Sequence, residues 1–309
     1  SMRARAYTGR ARAYMPLDPA GRAAVAGRMH LGVLMFPTDY AMRVDDLARA
    51  VEARGFESLW FPEHTHIPAS RRSPWPGGPT LPKEYWHTHD LFVALATAAA
   101  VTTRLKVGSG ICLLVERDPI ITAKEIASLD VLSRGRVLFG IGGGWNAEEM
   151  EDHGTDFKQR WRVLRERVLA MKRIWAEDEP AFEGDFVRFP PLWSWPKPVQ
   201  KPHPPILLGG HGPRALARVV EYCDGWLPIS VRAGDLEAGM TELRRVALEK
   251  GRDPGSISVS VYGASMEAAG LLRLRDLGVE RAIFALPSAE ADALLPLLDR
   301  AAELARQLA

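Results

Sequence analysis

The sequence predicts an α/β protein, a closed (β/α)8 TIM barrel with long insertions at its mouth. Three observations lead there. About eight short apolar runs alternate with helix-patterned segments between residue 29 and the end of the 309-residue chain. The runs carry almost no charge, as expected of parallel strands covered on both faces. Three of them, at 107–114, 137–146 and 206–214, empty into glycine-rich turns that let backbone approach a flat ligand closely. An open doubly wound sheet is the alternative arrangement of the same units.

Residues 31–36 form the first apolar run, ending at Phe36. The helix after it places Val44, Leu47, Ala48 and Val51 on one face and stops at Gly55. The second strand is 58–61, and an Ala-rich helix spans about 91–101. The third strand is read over about 105–114. Asp118 and Pro119 read as N-cap and first residue of a helix that runs to Ser133 and stops at Gly135. The fourth strand is 137–141. A helix presenting Trp161, Leu164, Val168, Met171 and Trp175 follows. Strands five to eight are 206–208, about 225–228, 257–262 and 281–285. A last helix carries Leu294, Leu298, Ala301 and Leu304.

Two connections exceed ordinary loops, 62–86 and 182–205, and both are expected to fold over the mouth. Residues 1–28 hold six arginines and one acid with no apolar period. They are expected to be a basic extension: a mobile arm, a tag, or sequence upstream of a natural start at Met29. Residues 29–309 are expected to be a single barrel domain. A net charge of +2 gives no reason to expect nucleic acid, and no apolar run suits a membrane span. Cys112 and Cys223 have no ligand spacing, which fits a reducing cytoplasm and no metal.

Chemistry in such a barrel belongs at the C-terminal strand ends. Glu63 and His64 end the second strand and are the acid/base candidates, since histidine exchanges protons near neutral pH and a carboxylate can tune it. His64 with His66, His87 and His89 supports a rival metal-dependent hydrolase. Gly209, Gly210, His211 and Gly212 precede a helix start where phosphate could bind, beside Arg214. The 142–144 glycines are out of register for a dinucleotide fingerprint. Tyr40, Trp75, Trp86, Trp193 and Trp195 lie in the long connections and are candidate walls of an apolar substrate pocket.

From about Met29 onward the chain resembles the luciferase-like flavin and F-420 oxidoreductases. The resemblance rests on Ala-Arg-Gly-Phe-Glu-Ser-Leu-Trp-Phe-Pro-Glu-His at 53–64, Gly-Ser-Gly-Ile at 108–111 and Asp-Pro-Ile-Ile-Thr-Ala-Lys-Glu at 118–125. It continues through Asp-Val-Leu-Ser-Arg-Gly-Arg at 130–136, Gly-Ile-Gly-Gly-Gly-Trp-Asn-Ala-Glu-Glu at 140–149, and the proline-rich 196–206 and Gly-Val-Glu-Arg at 278–281. It implies a homodimeric barrel binding coenzyme F-420 or reduced FMN, with a non-proline cis peptide at Gly110–Ile111. By position it implies that Ile111 and Leu113 back the ring, and that Asn146, Gly142 and Gly143 meet the ring or ribityl chain. Gly209, Gly210 and Gly212 would meet the ribityl phosphate, and His64 the reactive edge. Phe36, Gly110 and His211 complete the expected contact set.

Bacterial luciferase carries an arginine near the place of Gly143, and sugar-phosphate dehydrogenases of the F-420 branch carry an acid there. The uncharged Gly-Gly-Gly-Trp-Asn form resembles the F-420 branch without that sugar-phosphate activity. The expected reaction is hydride transfer between F-420 and a small organic substrate. The alternatives are an FMNH2-dependent monooxygenase served by a separate flavin reductase, and a non-catalytic flavin-binding barrel.

Overall fold

A computed structural model describes residues 29–230 and 236–307; the basic extension at 1–28 lies outside them. Eight strands close into a parallel barrel. They are β1 (His30–Leu34), β2 (Ser58–Phe61), β3 (Lys106–Ser109), β4 (Val137–Ile141), β7 (Ile206–Gly209), β8 (Gly225–Leu227), β9 (Ser258–Tyr262) and β10 (Arg281–Ala285). A two-stranded antiparallel hairpin, β5 (Phe182–Glu183) with β6 (Arg188–Phe189), stands apart. Register is continuous around closure, with Leu34 beside Ala285 of β10 and Trp60 of β2.

The flanking helices are α1 (Val44–Ala53), α2 (Glu84–His87), α3 (Leu91–Ala100), α4 (Pro119–Ser133), α5 (Ala147–Asp152), α6 (Arg160–Ala176), α7 (Pro213–Tyr222), α8 (Leu236–Glu249), α9 (Ala268–Asp276) and α10 (Ala291–Gln307). Among the described residues no helix is long and apolar enough to cross a membrane. The side chain of Asp118 caps α4 by accepting from Ile120 and Ile121 N–H, and Pro119 is its first residue. The helix stops where Arg134 and Gly135 turn left-handed, at φ 59° and 79°. Arg136 then donates to the carbonyls of Ala99, Thr102 and Leu105, satisfying the C-terminal end of α3 and the turn after it. The third strand is shorter than its apolar run: Gly110–Ile111 is cis, and a 3-10 turn at Leu114–Glu116 follows.

Two apolar cores result from the period of two. Residues such as Val33, Leu59, Val107, Phe139 and Leu208 pack outward on the helices. Leu34, Trp60, Leu138, Leu207, Leu227 and Ile283 fill the barrel interior. Trp60 needs space from its neighbours, because a Cβ on Gly108 would collide with its indole and one on Gly32 would crowd its Nε1. At the N-terminal end Arg281 is 1% exposed. It donates to both oxygens of Glu57 at 2.6 and 2.7 Å and to Ser260 Oγ at 2.9 Å.

Burial pulls the Glu57 carboxyl upward, but bonds from Arg281 and then Lys106 outweigh it and hold the group at about 2. A carboxylate with a lowered folded-state pKa stabilises the fold above its unfolded value and loses that contribution as pH falls toward the folded value. Between pH 4.5 and 2 Glu57 is therefore expected to withdraw about 3 kcal/mol. Urea unfolding midpoints measured from pH 5 downward should fall more steeply in the native protein than in Glu57→Gln; equal slopes would refute the assignment.

Candidate active site at the barrel mouth

The C-terminal rim is lined by inward-facing glycine backbone. A Cβ on Gly110 would lie 2.6 Å from Leu34 Cδ1, and one on Gly142 the same distance from Ile111 Cδ1. One on Gly140 would run into the Ser109 carbonyl, and one on Gly209 would come within 3.2 Å of Ile111 Cγ2. The strand-end glycines form a shallow cradle against which the Leu34 and Ile111 side chains and the Ser109 carbonyl pack directly. Leu113, next on this loop, is 3% exposed. Asn146 caps α5 through its Oδ1, while its buried Nδ2 has no hydrogen-bond partner among the described residues.

His64 stands at this rim. Its Nδ1 is 2.7 Å from Glu149 Oε2, and the other Glu149 oxygen accepts the Thr65 N–H at 3.1 Å. Glu149 is 0% exposed. A carboxylate accepting both bonds assigns the proton to Nδ1 and leaves Nε2 for chemistry. Adjacent on the same short helix, Glu148 accepts from Ser70, from Arg72 at 3.0 Å and from the Ser73 N–H at 2.7 Å. Ser70 first, then the Ser73 N–H and Arg72, hold its carboxyl well below the usual range. One turn of α5 thus ties down both His64 and the 62–86 connection.

Beneath them, burial first and then the charges of Glu149 and Glu63 push the Glu116 carboxyl well above its usual range.

The sequence reading paired His64 with Glu63, and this is corrected. Glu63 accepts the Leu113 N–H at 2.6 Å and Arg117 Nε at 2.7 Å. Its role is to hold the turn after β3. The histidines of the rival metal reading separate: His64 faces Glu149, His66 faces Asp152 and His87 faces Asp39. No group of three or more metal-ligating side chains occurs among the described residues.

Tyr85, not foreseen, is the hub of the aromatic wall. Its ring centroid lies 4.7 Å from Phe36, 5.1 Å from His64, 5.7 Å from Trp75 and 6.3 Å from Trp145. Trp75 and Trp86 line an open cleft of about 510 Å³ with Arg71 and Leu81, beyond Tyr85. Tyr40 lies on the same side, edge-on to His87. Trp193 and Trp195 do not belong to the mouth. The 182–205 connection joins the end of α6 to the start of β7; its hairpin runs back along α6, where Asp185 meets Arg162, and its later part lies at the opposite end of the barrel. Lys197 Nζ donates to the Ile174 and Glu177 carbonyls at the end of α6, and Gln200 Nε2 to Val137 O at the base of β4. Trp193 and Trp195 are 78% and 57% exposed there.

The rim closes at β7, where Gly210 (φ 136°), His211 and Gly212 (φ 78°) turn the chain into α7.

The sequence matches the family described as Luciferase-like monooxygenase over residues 23–267. An uncharacterised protein of Mycobacterium tuberculosis is 38% identical over 282 residues, covering 90% of this chain and 99% of that one. An F-420-dependent secondary alcohol dehydrogenase, solved with an F-420–acetone adduct, superposes with a TM-score of 0.74 at 17% identity, covering 92% of this chain and 100% of its own. The oxygenating constituent of a 3,6-diketocamphane monooxygenase from Pseudomonas putida, solved with FMN, gives 0.61 at 19% identity over 76% of this chain and 67% of its own. At these identities the two structures share the fold.

Glu148→Ala should release the 62–86 connection without loosening the barrel. Backbone amides around 70–75 are expected to exchange about tenfold faster or more, with the thermal midpoint almost unmoved. Unchanged exchange there would show that the connection is held by something else.

Proposed function

This chain belongs to the luciferase-like monooxygenase family and is an oxidoreductase of that kind, and from that premise we propose that it transfers a hydride between coenzyme F-420 and a small organic substrate. The observation that carries the proposal is the His64–Glu149 pair set at the edge of a glycine cradle and walled by Tyr85 and Trp145. The residues present fit a flat tricyclic cofactor. The cradle brings few side chains of its own to the rim, and the buried Asn146 Nδ2 offers a donor that has no partner among the described residues.

In this reading Gly110, Ile111 and Gly142 support the ring, while Gly209, Gly210, His211 and Gly212 lead toward the phosphate. When bound, the deazaflavin supplies the hydride chemistry. The chain supplies the proton. Glu149 fixes His64 by its Nδ1–H, so Nε2 can take the hydroxyl proton as an alcohol carbon gives up its hydride, or return it in the reverse direction. Tyr85, Trp75 and Trp145 exclude water from that edge and favour an apolar substrate. The uncharged Gly143 supports F-420 over FMN. The alternative, an FMNH2-dependent monooxygenase fed by a separate reductase, is supported by the FMN-bound structural neighbour.

Titration with oxidised F-420 and with FMN, followed by ligand fluorescence, tests this. F-420 is expected to bind more tightly. Preference for FMN would move the chain to the monooxygenase reading, and binding of neither would overturn both. Asn146→Ser keeps a capping oxygen and removes Nδ2, so cofactor affinity should fall about tenfold with little change in melting. His64→Ala should keep cofactor binding and lower turnover by about a hundredfold or more.

A further inference from the structure

One side of the mouth gathers three arginines that make no ion pair among the described residues. Arg160 opens α6 and Arg218 lies in the second turn of α7. Both guanidiniums sit over the ring of Trp161, 5.5 and 4.2 Å from its centroid. That ring packs against the glycine loop after β4, since a Cβ on Gly143 would lie 2.9 Å from it. Arg214 adds a third charge in the first turn of α7, directly after Gly209–Gly212.

Other arginines of α6 show what this chain does with a cation that has only a structural task. Arg162 pairs with Asp185, and Arg173 with Glu177 at 2.8 Å. Arg165 takes Glu221 at 2.6 Å, which is an acid on the same helix as Arg218. Arg160, Arg214 and Arg218 have no carboxylate within ion-pair distance among the described residues. Arg160 spends Nη1 on the Phe157 carbonyl at 2.7 Å, and its buried Nε has no partner among those residues.

Burial, reinforced by the charge of Arg218, lowers the pKa of Arg160; burial, reinforced by Arg214 and opposed by Tyr222 and Glu221, lowers that of Arg218. Like charges brought together and partly desolvated destabilise one another, and an anion lying between them reverses the sign. The planar fork of arginine suits phosphate and carboxylate oxygens.

We propose that Arg160, Arg214 and Arg218 form an anion clamp that grips the cofactor phosphate and the carboxylates attached beyond it. The clamp rests on the F-420 reading and deepens it. FMN ends at a phosphate monoester, whereas F-420 continues through a phosphodiester into a carboxylate-bearing tail. Three arginines spread over two helices suit the longer polyanion. They make this surface the determinant of cofactor choice, separate from the ring cradle.

The test is equilibrium binding of four probes: F-420, its phosphate-free deazariboflavin core, FMN and riboflavin. Each is titrated into the native protein, Arg160→Gln, Arg218→Gln and the charge-keeping Arg218→Lys. F-420 affinity is expected to drop about tenfold or more in either glutamine variant. Arg218→Lys should recover part of it, and added salt should erase the difference. The deazariboflavin core should bind all four proteins within about twofold, which also verifies that the variants fold. Equal loss for F-420 and its core, or loss for neither, would overturn the clamp. Equal loss for F-420 and FMN would confine the arginines to the phosphate and overturn the tail preference. If the native protein binds the deazariboflavin core and F-420 equally, the clamp fails while the deazaflavin reading stands. If it binds none of the four, both fail.

Discussion

The volume enclosed by eight parallel strands is set by strand number and tilt, and this chain fills it unevenly. The lower half holds the Arg281–Glu57 pair and the indole of Trp60, with Gly32 and Gly108 cut back to admit it. The upper half is lined by Gly110, Gly140, Gly142 and Gly209. A bulky base and a stripped rim are two sides of one constraint. Because the interior is already packed below Ile111, any ligand must lie across the mouth, and the chemistry must come from loops that meet there.

Those loops are held by carboxylates that act as structural acceptors. Glu63 fixes the turn carrying Leu113, Glu149 fixes His64, and Glu148 fixes the 70–73 stretch. Each satisfies backbone N–H groups that would otherwise be unpaired beside an apolar core. The rim is consequently divided. Acids near β2 and α5 are already engaged, whereas Arg160, Arg214 and Arg218 make no ion pair among the described residues. A ligand with an apolar plane at one end and anionic oxygens at the other matches that polarity.

Much of this was legible in the residues. The Asp118–Pro119 start and Arg134–Gly135 stop of α4 follow from local backbone chemistry, and so does the Gly55 stop of α1. The eight strands were visible as uncharged runs, and the glycines at their ends located the mouth. The six-residue α5 was not visible, since so short a helix shows no apolar period. With it went the pairing of His64 to Glu149, 85 positions away. Adjacency in sequence favoured Glu63, but neighbours on an extended strand end point to opposite sides. Trp193 and Trp195 misled for another reason. Length and aromatic content mark an insertion without saying which end of the barrel it serves. Alternation of strand and helix does say so, because a helix-to-strand connection always returns to the base.

The attachment of residues 62–86 has a consequence for how this scaffold diversifies. The stretch carrying Ser70, Arg72 and Ser73 is moored to a single short helix through polar bonds to Glu148, the Ala147 N–H that Ser73 Oγ accepts and the ion pair of Arg72 with Glu151, and Trp75 reaches Tyr85 through one aromatic contact. Neither link draws on the barrel core. Selection can therefore rewrite the stretch between His66 and Lys83 while the strands, the cradle and the His64–Glu149 pair stay as they are. On the proposed reading, divergence in substrate among relatives should concentrate within that inner stretch.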